Sequence, residues 1–188
     1  MNGADAAGAA YRPTTPGMRA ILWLGAVLVS TAGAQLYLLS ANTERYFAWT
    51  IKVPLTAAFL GGFYFTALGF AVLSARQREW SRARVGVPGV ATFLWLTLLA
   101  SLLHLGLFHL TSGPGTARGA AWLWLAIYAL DPPALTLLWF LQAGAPGLDR
   151  ARARPMPGWY RWLLGIEFLV IVGVAASLFV APSTAAYL

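Results

Sequence analysis

Five apolar runs of about 20 residues, parted by short polar stretches, set the pattern of this chain. They cover residues 20–39, 51–75, 88–110, 120–141 and 159–180. At about 1.5 Å of rise per helical residue, each is long enough to cross a hydrocarbon core roughly 30 Å thick. The pattern predicts an all-α, multi-pass transmembrane bundle of five spans in a single membrane domain over residues 18–188. Residues 1–17 are small, polar and proline-containing, with too little apolar surface to fold alone, and predict a mobile N-terminal tail.

Small residues interrupt the apolar runs where helices would approach closely. In the first run Ala26, Ser30 and Ala34 form a row at a spacing of four. In the second, Ala57, Ala58, Gly61, Gly62 and Gly69 predict a helix packed centrally rather than against lipid, with Pro54 in its first turn. Such faces also suit a protein partner or a homo-oligomer. An alternative reading of the first run is a cleaved secretory signal, with Arg12 and Arg19 ahead of a short core and Ala32-Gly33-Ala34 as the cleavage site. The apolar run continues through Leu39, which favours an uncleaved span. Residues 39–47 and 180–188 faintly echo one another, which hints at a truncated or split duplication but is too short to count as a repeat.

Charge sharpens the topology. Only 10% of the residues are charged and 59% are hydrophobic, against roughly 25% charged in soluble domains. The net charge of +7 lies between the apolar runs rather than on a nucleic-acid-binding face, so no nucleic acid is expected. Arg12, Arg19, Arg76, Arg78, Arg82, Arg84, Arg150, Arg152, Arg154 and Arg161 fall on one side of the alternation, and only Arg45, Lys52 and Arg118 on the other. Positive charge stays inside, so the N-terminus is expected inside and the C-terminus outside. Trp23, Trp80, Trp139, Trp159 and Trp162 would anchor the inner boundary, and Trp49, Trp122 and Trp124 the outer one. The arginine, alanine and glycine usage points to a bacterial cytoplasmic membrane. With no cysteine, thiol chemistry and thiolate metal sites are excluded.

The candidate chemistry lies at depth. Asp131, followed by Pro132 and Pro133, sits roughly 15 Å below the outer boundary, where a charge costs about 2.5–3.5 kcal/mol. The prolines lack N–H groups, so the carbonyls of Tyr128 and Ala129 lose their helical donors. Two readings follow: an unwound segment that binds a cation or relays a proton, or a kink with Asp131 capping a half-helix that begins at Pro132. Glu167, roughly 12 Å into the fifth run, could share a proton with Asp131 or hydrogen-bond to Thr136 or Gln35. His104 and His109, five apart, are separated by about 140° of helical rotation and do not point the same way. A haem held by His104 with a ligand from a partner chain is the remaining cofactor reading; otherwise no cofactor and no metal are expected.

No catalytic motif or nucleophile–base pair can be placed. The leading expectation is a non-enzymatic subunit or accessory component of a membrane complex. The alternative is a small transporter or proton-coupled permease subunit using Asp131 and Glu167, and the third is a haem-binding redox subunit.

Overall fold

The computed structural model describes residues 11–149 and 157–180 of the 188-residue chain. The chain divides into two compact units, residues 1–150 and 151–188. The first unit holds α1 (Pro16–Leu38), α2 (Thr43–Tyr46), α3 (Pro54–Arg76), α4 (Trp80–Ala83), α5 (Val87–Leu103) and α6 (Gly115–Ala143). The second holds α7 (Gly158–Val180), whose Leu163, Leu164, Ile166, Phe168, Leu169 and Ile171 are spread round its circumference. Among the described residues, extended backbone pairs only in isolated bridges. The arginines at 150, 152 and 154 and the echo at 181–188 lie outside the described residues.

Four helices, α1, α3, α6 and α7, are long and apolar enough to cross a membrane. Proline opens α1, α3 and α5 within the first turn, where its missing N–H costs no hydrogen bond. Thr15 caps α1, its hydroxyl accepting from the Met18 N–H at 3.4 Å.

α5 is shorter than its apolar run predicts. It has 17 residues, about 25 Å of rise, and stops at Leu103 instead of continuing to 110. The His104 N–H closes its end on the carbonyls of Ala100 and Ser101, a 3-10 turn follows at Leu105–Leu107, and Phe108 then runs extended beside Trp49. The apolar residues after 103 therefore build an aromatic plug. Phe47, Trp49 and Trp124 pack edge-on and Phe108 lies tilted against Trp49, with ring centroids 4.6–5.5 Å apart, and the His109 N–H donates to Ala48 O at 2.9 Å.

The opposite end is closed by residues 11–15, part of the segment expected as a tail. Arg12 N–H donates to Leu148 O at 3.0 Å, Thr14 N–H to Arg78 O at 2.8 Å, and Trp80 N–H to Arg12 O at 3.0 Å. Gln142, fully buried, accepts from the Thr15 N–H at 2.7 Å and donates to Pro13 O at 2.9 Å. Asp149 binds Arg84 at 2.9 Å and lies 3.8 Å from Arg12, whose Nη1 donates to Ala143 O. Backbone pairing over this length of chain, not side-chain hydrophobicity, makes the segment a strap. The strap, the α3–α5 connection and the end of α6 thus share one end of the unit, while residues 43–53 and 104–110 share the other.

The closest helix crossing joins α1 to α3. A Cβ on Gly61 would lie 2.7 Å from Tyr37 N and 2.9 Å from Gly33 O, so only glycine lets these backbones meet. The row expected at Ala26, Ser30 and Ala34 is displaced: Ala26, Gly33 and Leu36 are the buried positions, and Ser30 turns its hydroxyl to Val27 O. α3 is only half central. Ala57, Gly61, Tyr64, Ala71 and Ala75 are buried, whereas Phe59, Phe63, Phe70 and Leu73 on its other side are exposed, and a Cβ on Gly62 or Gly69 would meet nothing.

Candidate functional site

The site is built on α6. Its buried residues Ala117, Ala121, Trp124, Tyr128, Pro132 and Leu135 recur every three or four positions and form one stripe facing α1, α2 and α5. The stripe holds the helix together across Asp131-Pro132-Pro133. α6 runs unbroken from Gly115 to Ala143, so neither the unwound segment nor the half-helix capped by Asp131 forms. Two prolines delete two backbone donors, but packing along the stripe outweighs that loss. Thr136 turns its hydroxyl back to Pro132 O at 2.7 Å and accepts from the Trp95 indole N–H at 3.1 Å, tying α5 to the proline turn.

Polar side chains missed by the sequence reading gather on the same faces. The hydroxyls of Tyr64 on α3 and Tyr128 on α6 meet at 2.9 Å, both buried, and the Thr97 side chain of α5 also reaches Tyr128. The Trp124 indole N–H donates to the Ser101 hydroxyl at 3.0 Å, also buried. Trp124 and Trp80 are therefore core residues rather than boundary anchors. A pattern of single polar residues in apolar runs marks all of these, but their pairing needs helix–helix geometry.

Asp131 stands beside this belt, three residues after Tyr128, and is half-buried. It lines a cavity of about 340 Å³ between the α1/α3 pair and the α5/α6 pair, in the half of the bundle nearer the strap. Ile21, Leu22, Phe93, Leu94 and Leu135 wall it, and the exposed Phe63, Phe70 and Val85 form its rim, so it opens sideways between α3 and α5. Thr66 also lines it, but donates its hydroxyl to Gly62 O at 3.3 Å. Asp131 is the one ionisable group among the described residues lining the cavity.

The other expected site residues are placed elsewhere. Glu167 lies on α7, in the second unit, and the partners proposed for it are engaged within the first: Gln35 donates to Tyr46 O, and Thr136 bonds as above. His104 caps α5, exposed, with Nδ1 2.8 Å from Ala100 O. His109 Nε2 lies 3.1 Å from the Thr50 hydroxyl at the aromatic plug. Among the described residues, no three His, Asp or Glu side chains gather to hold a metal ion.

An apolar helix bundle with a carboxylate in a side-opening cavity defines the class of arrangement. The chain matches no family model, no curated protein and no solved structure, so function is read from this geometry.

Proposed function

We propose that the chain is a five-span protein of a bacterial cytoplasmic membrane, N-terminus inside and C-terminus outside, acting as a small transporter or proton-coupled permease subunit through Asp131. The observation that carries this reading is the position of Asp131 in the lining of a largely apolar cavity open to the side. A lone carboxylate at membrane depth is costly unless it is hydrated, paired or protonated in turn, which is what a site alternating between a proton and a cargo requires. α5 serves as the fifth span: 17 residues reach about 25 Å, and the connections at its ends make up the remaining depth. Orientation rests on the arginines. Arg12, Arg19, Arg76, Arg78, Arg82 and Arg84 share the strap end, opposite Arg45 and Lys52. Glu167 supplies a second protonatable group on α7.

A second reading, an accessory subunit of a membrane complex, is favoured by α7, a mostly apolar helix carrying Gly165, Gly173 and Ser177. Native mass spectrometry of protein extracted gently from its own membrane separates the two. A bare chain or a homo-oligomer is the transporter result; a tightly held second polypeptide is the subunit result.

A further inference from the structure

We propose that the cavity beside Asp131 takes a small lipophilic ammonium cation. This ligand class deepens the transporter reading and rests on it.

Three features of the cavity converge on that chemistry. The first is charge. Asp131 brings a carboxylate to an otherwise apolar wall, and none of the described lining residues is Arg, Lys or His. An ion at membrane depth without a counter-ion is expensive, and here the ligand brings the counter-ion. The second is the lining itself. Phe63, Phe70 and Phe93 line the same space, with the Phe63 and Phe93 ring centroids 5.9 Å apart. Aromatic faces attract ammonium groups and also pack against the apolar part of such a molecule, so they add to the carboxylate instead of competing with it. The third is size. A cavity of about 340 Å³ is at the lower end of the roughly 300–1,000 Å³ of small-molecule sites. It fits a single-ring or short-chain amine and is too small for a two-chain phospholipid. The side opening between α3 and α5 lets the ligand enter from the bilayer.

A proton and an ammonium group would compete for the one carboxylate, so binding weakens as the medium is made more acid. The walls contributed by α1, α3 and α5 bring no titratable side chain to the cavity. On α6 the neighbouring Tyr128 is engaged with Tyr64. Asp131 is therefore the group through which acid acts.

The test is titration calorimetry on the full chain in nanodiscs of zwitterionic lipid. The probes are benzyltrimethylammonium and its uncharged carbon isostere neopentylbenzene, which share shape and differ in charge. The wild type is expected to bind the cation at least tenfold more tightly than the isostere. Asp131→Asn erases that preference, and Asp131→Glu keeps it. Gly89→Leu, placed where a Cβ meets nothing within 4 Å on the cavity wall, weakens both probes by filling the space. Equal binding of the two probes by the wild type, or a preference that survives Asp131→Asn, overturns the proposal. Should Asp131→Asn fail to fold, the wild-type preference and the weaker binding of both probes by Gly89→Leu still decide. Selective binding without uptake into vesicles supports the ligand class and removes the transport reading. Uptake that needs Asp131 but shows no preference for the cation overturns the ligand class and leaves transport standing.

Discussion

The hydroxyls of Tyr64 and Tyr128, 64 residues apart in sequence, meet at 2.9 Å in the buried middle of the bundle and join α3 to α6. In an apolar surrounding the Tyr64 hydroxyl depends on that of Tyr128, which Thr97 also reaches. Tyr128→Phe leaves the Tyr64 hydroxyl unsatisfied at about 1–3 kcal/mol, whereas Tyr64→Phe leaves Tyr128 with Thr97 and costs less. Tyr64→Phe and Tyr128→Phe should each lower the melting temperature in detergent, and the double variant should fall by less than the sum of the two. Additive losses would mean that the pair does not act as a unit.

The glycine pair in α3 offers an internal control. Gly61→Ala forces a Cβ to within 2.7 Å of the Tyr37 backbone, so α1 and α3 must separate, at about 1–3 kcal/mol. Gly62→Ala meets nothing within 4 Å and should be neutral or stabilising by up to about 1 kcal/mol. Melting curves of the two variants should move in opposite directions or differ by several degrees.

Gln142 carries the strap. Its amide bonds both Pro13 O and the Thr15 N–H while fully buried. In Gln142→Leu both strap groups lose their partner, so residues 11–15 should loosen. Hydrogen exchange at the Thr15 amide is expected to speed up at least tenfold in that variant, while amides in the middle of α3 stay protected.

Topology can be read directly because the chain has no cysteine of its own. A single cysteine at Arg82, in the exposed α3–α5 connection, should react with an impermeant maleimide only from the inside. One at Ser112, exposed between α5 and α6, should react only from the outside. Labelling of both from the same face would remove α5 as a span, and labelling of each from the opposite face would invert the orientation.

What the sequence shows, and what it hides, follows from the range of each interaction. The apolar runs, the prolines that open α1, α3 and α5, and the depth of Asp131 are local, and hydropathy with helix geometry is enough to see them. The end of α5 is not local: Leu105, Leu107 and Phe108 continue the apolar run, and only their pairing with Trp49 makes them a plug instead of a last helical turn. The strap was hidden for the same reason, since Arg12 and Thr15 bond to residues more than 120 positions away. At Asp131-Pro132-Pro133 a local rule pointed to a break, and the buried stripe from Trp124 to Leu135 overrode it. The cavity belongs to no single segment. It exists because α1 packs on α3 and α5 on α6, leaving space between the pairs.

The most direct measurement is uptake of benzyltrimethylammonium into vesicles holding the purified wild type or Asp131→Asn, driven by an imposed pH gradient, with proton movement followed in parallel. Wild-type vesicles should accumulate the cation and move protons the other way, while Asp131→Asn behaves like protein-free vesicles despite normal insertion. Equal transport by the variant and the wild type would contradict Asp131 as the working group of the protein.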